Sequence, residues 1–284
     1  MADWPLTFKC NNNCISCIYN LEMAEKLKVG NPMEKEIKKT IDGIKPNDIL
    51  SFTGGEPTIR KEFFKFLRYA AGRDSEMNIA IVSNGRMFCY DEFVDKMLKT
   101  GLKNLKFCIA LYGHNERLHD AITRTPGSFE QTIKGIRNLL KRSLPVELRV
   151  IISKMNYKYL KDIANFVMKN LNGVHRVVFI NMKYTGNAYI NRKAIFVRYK
   201  DVVPYTEKAA DILLESNIEV KLFHFPLCTI KKKYWDLAKG VTKQKSELMF
   251  VSECKECKKR EECPMIWKSY WVLAGDKEFK AFRK

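Results

Sequence analysis

Six short apolar runs, separated by stretches of helical periodicity, constrain the fold of this 284-residue chain more than any other feature. The runs cover residues 6–10, 48–53, 79–83, 105–111, 146–152 and 174–182, and they alternate little between apolar and polar positions. Continuous apolarity over four to nine residues marks strands buried on both faces, as in a parallel sheet. Between them, residues 62–73, 90–100, 128–140 and 157–171 place apolar side chains at helical spacing, with Ser128 expected as an N-cap. Repeated βα units with right-handed crossovers follow. Six units fall short of an eight-unit barrel. The expectation is an α/β fold, an open, curled partial (β/α)6 TIM-like barrel over about residues 5–190, working at the C-terminal ends of its strands.

Beyond residue 200 the pattern changes. A helix is expected over 205–216 and a strand over 218–223; from Leu227 onward the chain is rich in Cys and Lys. Two domains are therefore expected, 1–200 and a small Cys-rich C-terminal extension, 201–284. With 51 Lys and Arg against 32 Asp and Glu, the net charge is +19. Such a field suits anionic partners, nucleic acid included, although a lysine-rich solvated surface gives the same figure. No apolar run approaches the roughly 18 residues of a membrane span, and the N-terminus has no basic and apolar signal pattern, so a cytoplasmic protein without a membrane partner is expected. The nine cysteines are odd in number and tightly spaced, which fits metal or cluster ligation better than disulfides.

Cys10, Cys14 and Cys17 follow the first expected strand with the spacing Cys-x3-Cys-x2-Cys. Three thiolates this close suit a cubane iron–sulfur cluster and leave its fourth iron open to a ligand. A structural zinc ion would want a fourth nearby donor, and the nearest His, His114, is far along the chain. Two further segments stand at strand ends: Gly54-Gly55-Glu56 after the second and Ser83-Asn84-Gly85 after the third.

Together these segments resemble the radical S-adenosylmethionine (SAM) superfamily: its three-cysteine cluster motif, its glycine-glycine-glutamate segment and its Asn-Gly position. The resemblance implies the same partial barrel, a [4Fe–4S] cluster on Cys10, Cys14 and Cys17, and SAM bound at its open iron. Gly54 and Gly55 would receive the SAM ammonium group with Glu56 assisting or bracing, their missing Cβ atoms allowing close approach. A valine at Gly55 would then weaken SAM binding and leave the cluster assembled. Asn84 suits ribose hydroxyls or the methionyl carboxylate; a turn-forming Asn-Gly pair is the lesser alternative. Arg149, inside an apolar strand, needs a buried partner, either the methionyl carboxylate or an acid of the protein, Glu147 or one on a helix. Asn181 stands where an adenine edge would be read. Two departures are visible. Ser16 occupies the usually aromatic position before the third Cys, leaving adenine packing to Ile18 or Tyr19, and Ala110-Leu111-Tyr112 lacks a customary Ser.

A second group, Cys254-x2-Cys257-x5-Cys263, with Cys228 upstream, resembles the auxiliary-cluster (twitch, or half-SPASM) extension of many such enzymes. Four thiolates would complete a second [4Fe–4S] cluster; a four-cysteine zinc ribbon has similar spacing, and His224 is the one spare alternative to Cys228. The neighbouring lysines are expected to raise that cluster's potential. Cys89 and Cys108 read as a helix-start and a core residue.

The activity implied by the resemblance is one-electron cleavage of SAM to methionine and a 5′-deoxyadenosyl radical, which abstracts hydrogen from a substrate. A flavodoxin- or ferredoxin-type protein would supply the electron. Weaker similarity, in Asn84-Gly-Arg-Met-Phe88, Pro126-Gly-Ser-Phe-Glu-Gln-Thr132 and Lys183-Tyr-Thr-Gly-Asn-Ala188, points to maturases that modify peptide or protein side chains. Radical modification of RNA or a nucleotide suits the charge. The whole-chain pattern is also similar to the molybdopterin-precursor cyclase group, a reading weakened by the chain ending in Phe282-Arg283-Lys284 and not in Gly-Gly. A non-catalytic iron–sulfur or zinc module is the third possibility. No residue is assigned as catalytic from sequence, and only nine residues precede Cys10, so no cobalamin-binding or peptide-recognition domain is expected in front.

Overall fold

The computed structural model of the protein describes residues 2–20, 23, 26–239 and 245–283. Seven parallel strands pair strictly in chain order: β1 (Ala2–Thr7), β2 (Ile49–Gly54), β3 (Asn78–Ser83), β4 (Leu105–Ala110), β5 (Val146–Ile152), β6 (Arg176–Asn181) and β7 (Glu219–Phe223). Between them run α1 (Glu34–Asp42), α2 (Phe63–Arg73), α3 (Asp91–Leu98), α4 (Glu116–Thr123), α5 (Ser128–Lys141), α6 (Leu160–Asn170), the short α7 (Gly186–Ile190) and α8 (Arg192–Ile195), and α9 (Tyr199–Glu215). Strands β1 and β7 remain open edges among the described residues.

The sequence expectation of six strands is corrected to seven. The stretch expected beyond the barrel joins it, because Val220 and Leu222 are fully buried while Glu219 and Lys221 face the other side. That period-two alternation lets β7 extend β6 in register, Arg176 opposite Glu219. The first strand also begins earlier than expected and ends before Cys10. Pro5 lies inside it, tolerated because β1 is an edge strand. At α5 the cap is Gly127, with φ 77°, and not Ser128. Asp120 does the capping from outside: its carboxylate accepts from Gly127 N at 2.6 Å and Phe129 N at 2.8 Å.

One face of the sheet packs against the helices through Leu50, Phe52, Ile79, Ile81, Phe107, Ile109, Leu148 and Val150, all nearly or fully buried. The other is concave. Asp3 on β1 and Arg149 on β5 feel each other's charge although three strands separate theirs, so the sheet has curled. Glu147 lies in this concavity with Lys106 at 2.9 Å, Arg149 at 3.0 Å and Arg176 at 3.1 Å. Burial alone would raise the Glu147 carboxyl, but Arg149 and Lys106 outweigh it and hold it down to about 2. Cys108 is buried, 1% exposed, as expected of a core residue, and β4 turns its thiol toward Glu147 and Arg149 on the concave face.

A short antiparallel ladder, β8 (Leu248–Met249) with β9 (Ile266–Trp267), and the helix α10 (Lys268–Ala274) follow β7. Tyr270 of α10 packs on Tyr199 of α9, ring centroids 4.6 Å apart, and Trp267 donates its Nε1–H to Asn181 O at 2.9 Å.

Candidate active site

The Gly54-Gly55-Glu56 segment fits closely against the chain leading into the first cysteine. Gly55 N donates to Thr7 O at 2.7 Å, and Glu56 N to Lys9 O at 2.8 Å. A Cβ on Gly54, whose φ is +122°, would stand 2.3 Å from Thr7 O; one on Gly55 would stand 2.2 Å from Lys9 O. The close approach that demands glycine is therefore an approach of main chain to main chain. Glu56 is 1% exposed. Its Oε1 accepts from Ser83 Oγ at 2.8 Å and from both Thr58 N and Oγ1, and its Oε2 from Asn84 N at 2.7 Å. Burial raises this carboxyl; the hydrogen bonds oppose that shift.

Asn84 points at the cysteine loop. Its Nδ2 donates to Asn11 Oδ1 at 2.7 Å and lies 3.9 Å from Cys10 Sγ. Gly85, φ 83°, turns the chain here, and α5 passes close enough that a Cβ on Gly135 would meet Gly85 O at 2.2 Å. Arg86, which sequence reasoning assigned no role, clamps the same loop: its guanidinium donates to Asn11 O, to Asn12 Oδ1 at 2.7 Å and to Gln131 Oε1 at 2.6 Å. The only signal in the sequence was a long cation placed directly after the Asn-Gly turn.

The loop carrying Cys10, Cys14 and Cys17 is also held from two other sides. Asn13 N and Ile15 N donate to the carbonyls of Thr123 and Ile122 at the end of α4. From the segment after β6, Ala188 N donates to Cys17 O at 2.9 Å and Thr185 Oγ1 to Ile18 O at 3.0 Å. The three thiols are half-buried and close enough for their charges to interact. Burial pushes Cys10 and Cys14 up to about 12, and raises Cys17 as well. Asn12 N points at Cys10 Sγ, 3.4 Å away, and the Tyr112 hydroxyl faces Cys14. Sulfur atoms met by N–H and O–H donors are prepared for negative charge.

Arg149 spends Nε on Glu147, so the ion pair weighed from sequence is present; its other nitrogens make no hydrogen bond among the described residues. Among the described residues, Asn181, 3% exposed, has no hydrogen-bond partner for its Oδ1, and Ser16, 6% exposed, has none for its Oγ. Each such buried atom costs about 1–3 kcal/mol, which a polar ligand would remove. Tyr19 packs edge-on against Phe8 at 6.1 Å.

The second cysteine group converges. Cys228, Cys254, Cys257 and Cys263 line one small hollow together with Met249, Phe250, Met265 and Phe282. Phe282 N donates to Cys257 Sγ at 3.5 Å, the Lys280 backbone to Cys228, and the Leu227 and Met265 backbones to Cys263. Burial pushes Cys228 up to about 11. His224, the spare alternative, is fully buried and stacks on Trp267 with ring centroids 3.9 Å apart, outside this lining. Acids interleave the basic residues there: Lys259 pairs with Glu262 and Arg283 with Glu253 and Glu256. Among the described residues no three His, Cys, Asp or Glu side chains close around one ion-sized point; ligands to separate irons of a cubane stand farther apart than ligands to one ion.

Residues 4–167 match the family model described as "Radical SAM superfamily". An AdoMet-dependent heme synthase of Methanosarcina barkeri is 32% identical over 157 residues, 54% of this chain and 42% of that protein. A GTP 3',8-cyclase of Clostridium botulinum is 26% identical over 225 residues, 76% of this chain and 69% of that protein. The chain spans only 40–53% of the first three curated relatives it matches. Among solved structures, anSMEcpe with bound AdoMet and Cp18Cys peptide superposes with a TM-score of 0.64 at 13% identity, covering 98% of this chain and 94% of that one. At that identity the likeness concerns the fold.

Proposed function

The chain belongs to the radical SAM superfamily, and on that premise we propose that it is a radical enzyme acting on a peptide or protein side chain. When bound, a [4Fe–4S] cluster supplies one electron to the sulfonium of SAM, and the resulting 5′-deoxyadenosyl radical takes a hydrogen atom from the substrate. Cys10, Cys14 and Cys17 would hold the cluster, each thiol giving up its proton to bind iron. The observation that carries this reading is the three-sided anchoring of their loop at the C-terminal edge of the sheet, with N–H donors already aimed at sulfur.

The geometry of this chain supports the remaining roles. Gly55 and Glu56 lock the entry to the loop onto β2, and Glu56 braces Asn84. Arg149, oriented through Nε by Glu147, presents its other N–H groups to the methionyl carboxylate. Asn181 Oδ1, buried without a partner among the described residues, would accept from the adenine amino group. Cys228, Cys254, Cys257 and Cys263, which line one hollow, would hold a second cluster as an electron relay or staple.

The peptide substrate is supported by the fold neighbour, whose own structure holds a peptide. A nucleotide substrate is the second reading, favoured by the similarity to a GTP cyclase and by the net charge of +19. Anaerobic reconstitution followed by dithionite should yield 5′-deoxyadenosine, and the Cys10/Cys14/Cys17→Ala variant should yield none. Undiminished cleavage in that variant would sink the proposal, and product mass with candidate peptides or nucleotides separates the two substrates.

A further inference from the structure

The segment after β6 grips the cysteine loop with one edge and faces solvent with the other. Asn187 Nδ2 donates to Cys14 O at 3.5 Å and Asn191 Nδ2 to Ile15 O at 3.4 Å, alongside the Ala188 bond to Cys17. Between these anchors, Tyr189 is 44% and Ile190 58% exposed. The Arg192 guanidinium lies 4.3 Å from the Tyr189 ring centre, and Lys193 beside it is exposed. One hydrogen bond, Arg124 Nη2 to Asn191 Oδ1 at 2.8 Å, carries this surface onto α4, where Arg117 and Arg124 flank an open groove.

None of these four cations has a carboxylate within ion-pair distance among the described residues. Asp120 in the groove is committed to capping α5, which leaves Glu116 as the one spare acid lining it. Elsewhere many cations are matched: Arg73 with Asp42, Lys103 with Glu76, Arg142 with Asp91 and Asp95. Exposed apolar side chains ringed by unmatched cations have the anatomy of a transient interface for an acidic protein, with the positive field speeding encounter. The surface is also separated from Cys14 and Cys17 only by the segment whose amides touch them.

We propose that this surface docks an acidic one-electron carrier protein of the flavodoxin or ferredoxin type, which delivers its electron to the Cys10–Cys14–Cys17 site. The proposal rests on reading that site as a cluster. The carrier is oxidised by one electron, the site is reduced by one, and no atom is exchanged.

The test uses the reconstituted holoprotein and a purified, fluorescently labelled flavodoxin, with binding followed by anisotropy at low and high salt. Reversing three charges, Arg117→Glu, Arg192→Glu and Lys193→Glu, should weaken binding at least about tenfold; Arg192→Lys with Lys193→Arg should keep it. Flavodoxin-driven formation of 5′-deoxyadenosine should fall in the reversed variant, while dithionite-driven formation stays at the wild-type rate. Equal flavodoxin affinity in wild type and reversed variant, or none in the wild type at low salt, overturns the docking surface. So does a patch that binds single-stranded RNA in a charge-dependent way while flavodoxin does not bind it. Flavodoxin binding that is lost on charge reversal, in a protein that dithionite cannot drive, supports the docking surface and overturns the catalytic reading instead.

Discussion

Glu56 Oε2 accepts the backbone N–H of Asn84 at 2.7 Å, tying the end of β2 to the end of β3 through a carboxylate that water does not reach. Four hydrogen bonds from Thr58, Ser83 and Asn84 hold it, an arrangement suited to bracing the two strand ends. Glu56→Gln would turn an NH2 toward either Asn84 N–H or the Thr58 and Ser83 donors. The expected cost is about 1–3 kcal/mol of stability, read as a lower urea midpoint of the metal-free protein. An unchanged midpoint would show that the bridge contributes nothing.

Gly55 offers a sharper test. A Cβ there would overlap Lys9 O, one residue before Cys10. The expectation from sequence, that a side chain at this position spares the cluster, is therefore revised. Gly55→Ala should already displace the cysteine loop, lowering iron bound after reconstitution as well as SAM affinity. Wild-type iron content with weakened SAM binding would restore the original view.

Arg86→Met removes every guanidinium bond to Asn11, Asn12 and Gln131 while keeping much of the aliphatic stem. Charge-assisted bonds of this kind are worth about 1.5–3 kcal/mol each before compensation. Slower cluster reconstitution and a lower melting temperature are expected, with Arg86→Lys intermediate because one ammonium cannot replace a fork. Reconstitution at the wild-type rate in the Met variant would remove the clamp from consideration.

His119 gives a pH dependence whose sign is set by burial. The ring is 1% exposed, and desolvation lowers its pKa from 6.5 to about 4, with Asp120 opposing weakly. Between those values the unfolded chain binds a proton that the folded chain refuses, so stability falls as pH drops from 6.5 toward 4. Below about 4 this group changes nothing further. The full shift corresponds to about 3 kcal/mol. Denaturant titrations at pH 7 and pH 4.5 should show a smaller acid loss in His119→Gln than in wild type; equal losses would place the proton elsewhere.

The second cysteine hollow predicts stoichiometry. Wild type should hold about eight irons per chain and Cys254/Cys257→Ala about four. Cys228→Ala should also lose the second set, because Cys228 lines the hollow and His224 is stacked away from it. Four irons with zinc in the wild type would refute two clusters.

The sequence by itself determined the alternation of parallel strands with helices, the cysteine spacings and the placing of Gly-Gly-Glu and Ser-Asn-Gly at strand ends, because these depend on local periodicity and on residue type. It could not reveal that Gly54 and Gly55 meet the main chain of Thr7 and Lys9, that Arg86 reaches Asn11 and Asn12, or that Cys108 sits beside Glu147 and Arg149. Each of those contacts joins residues far apart in the chain, and their distances exist only after the sheet has curled. The seventh strand lies between these cases: its alternation was legible, but its membership in the sheet was decided by pairing with β6, a non-local hydrogen-bond ladder that no local pattern encodes.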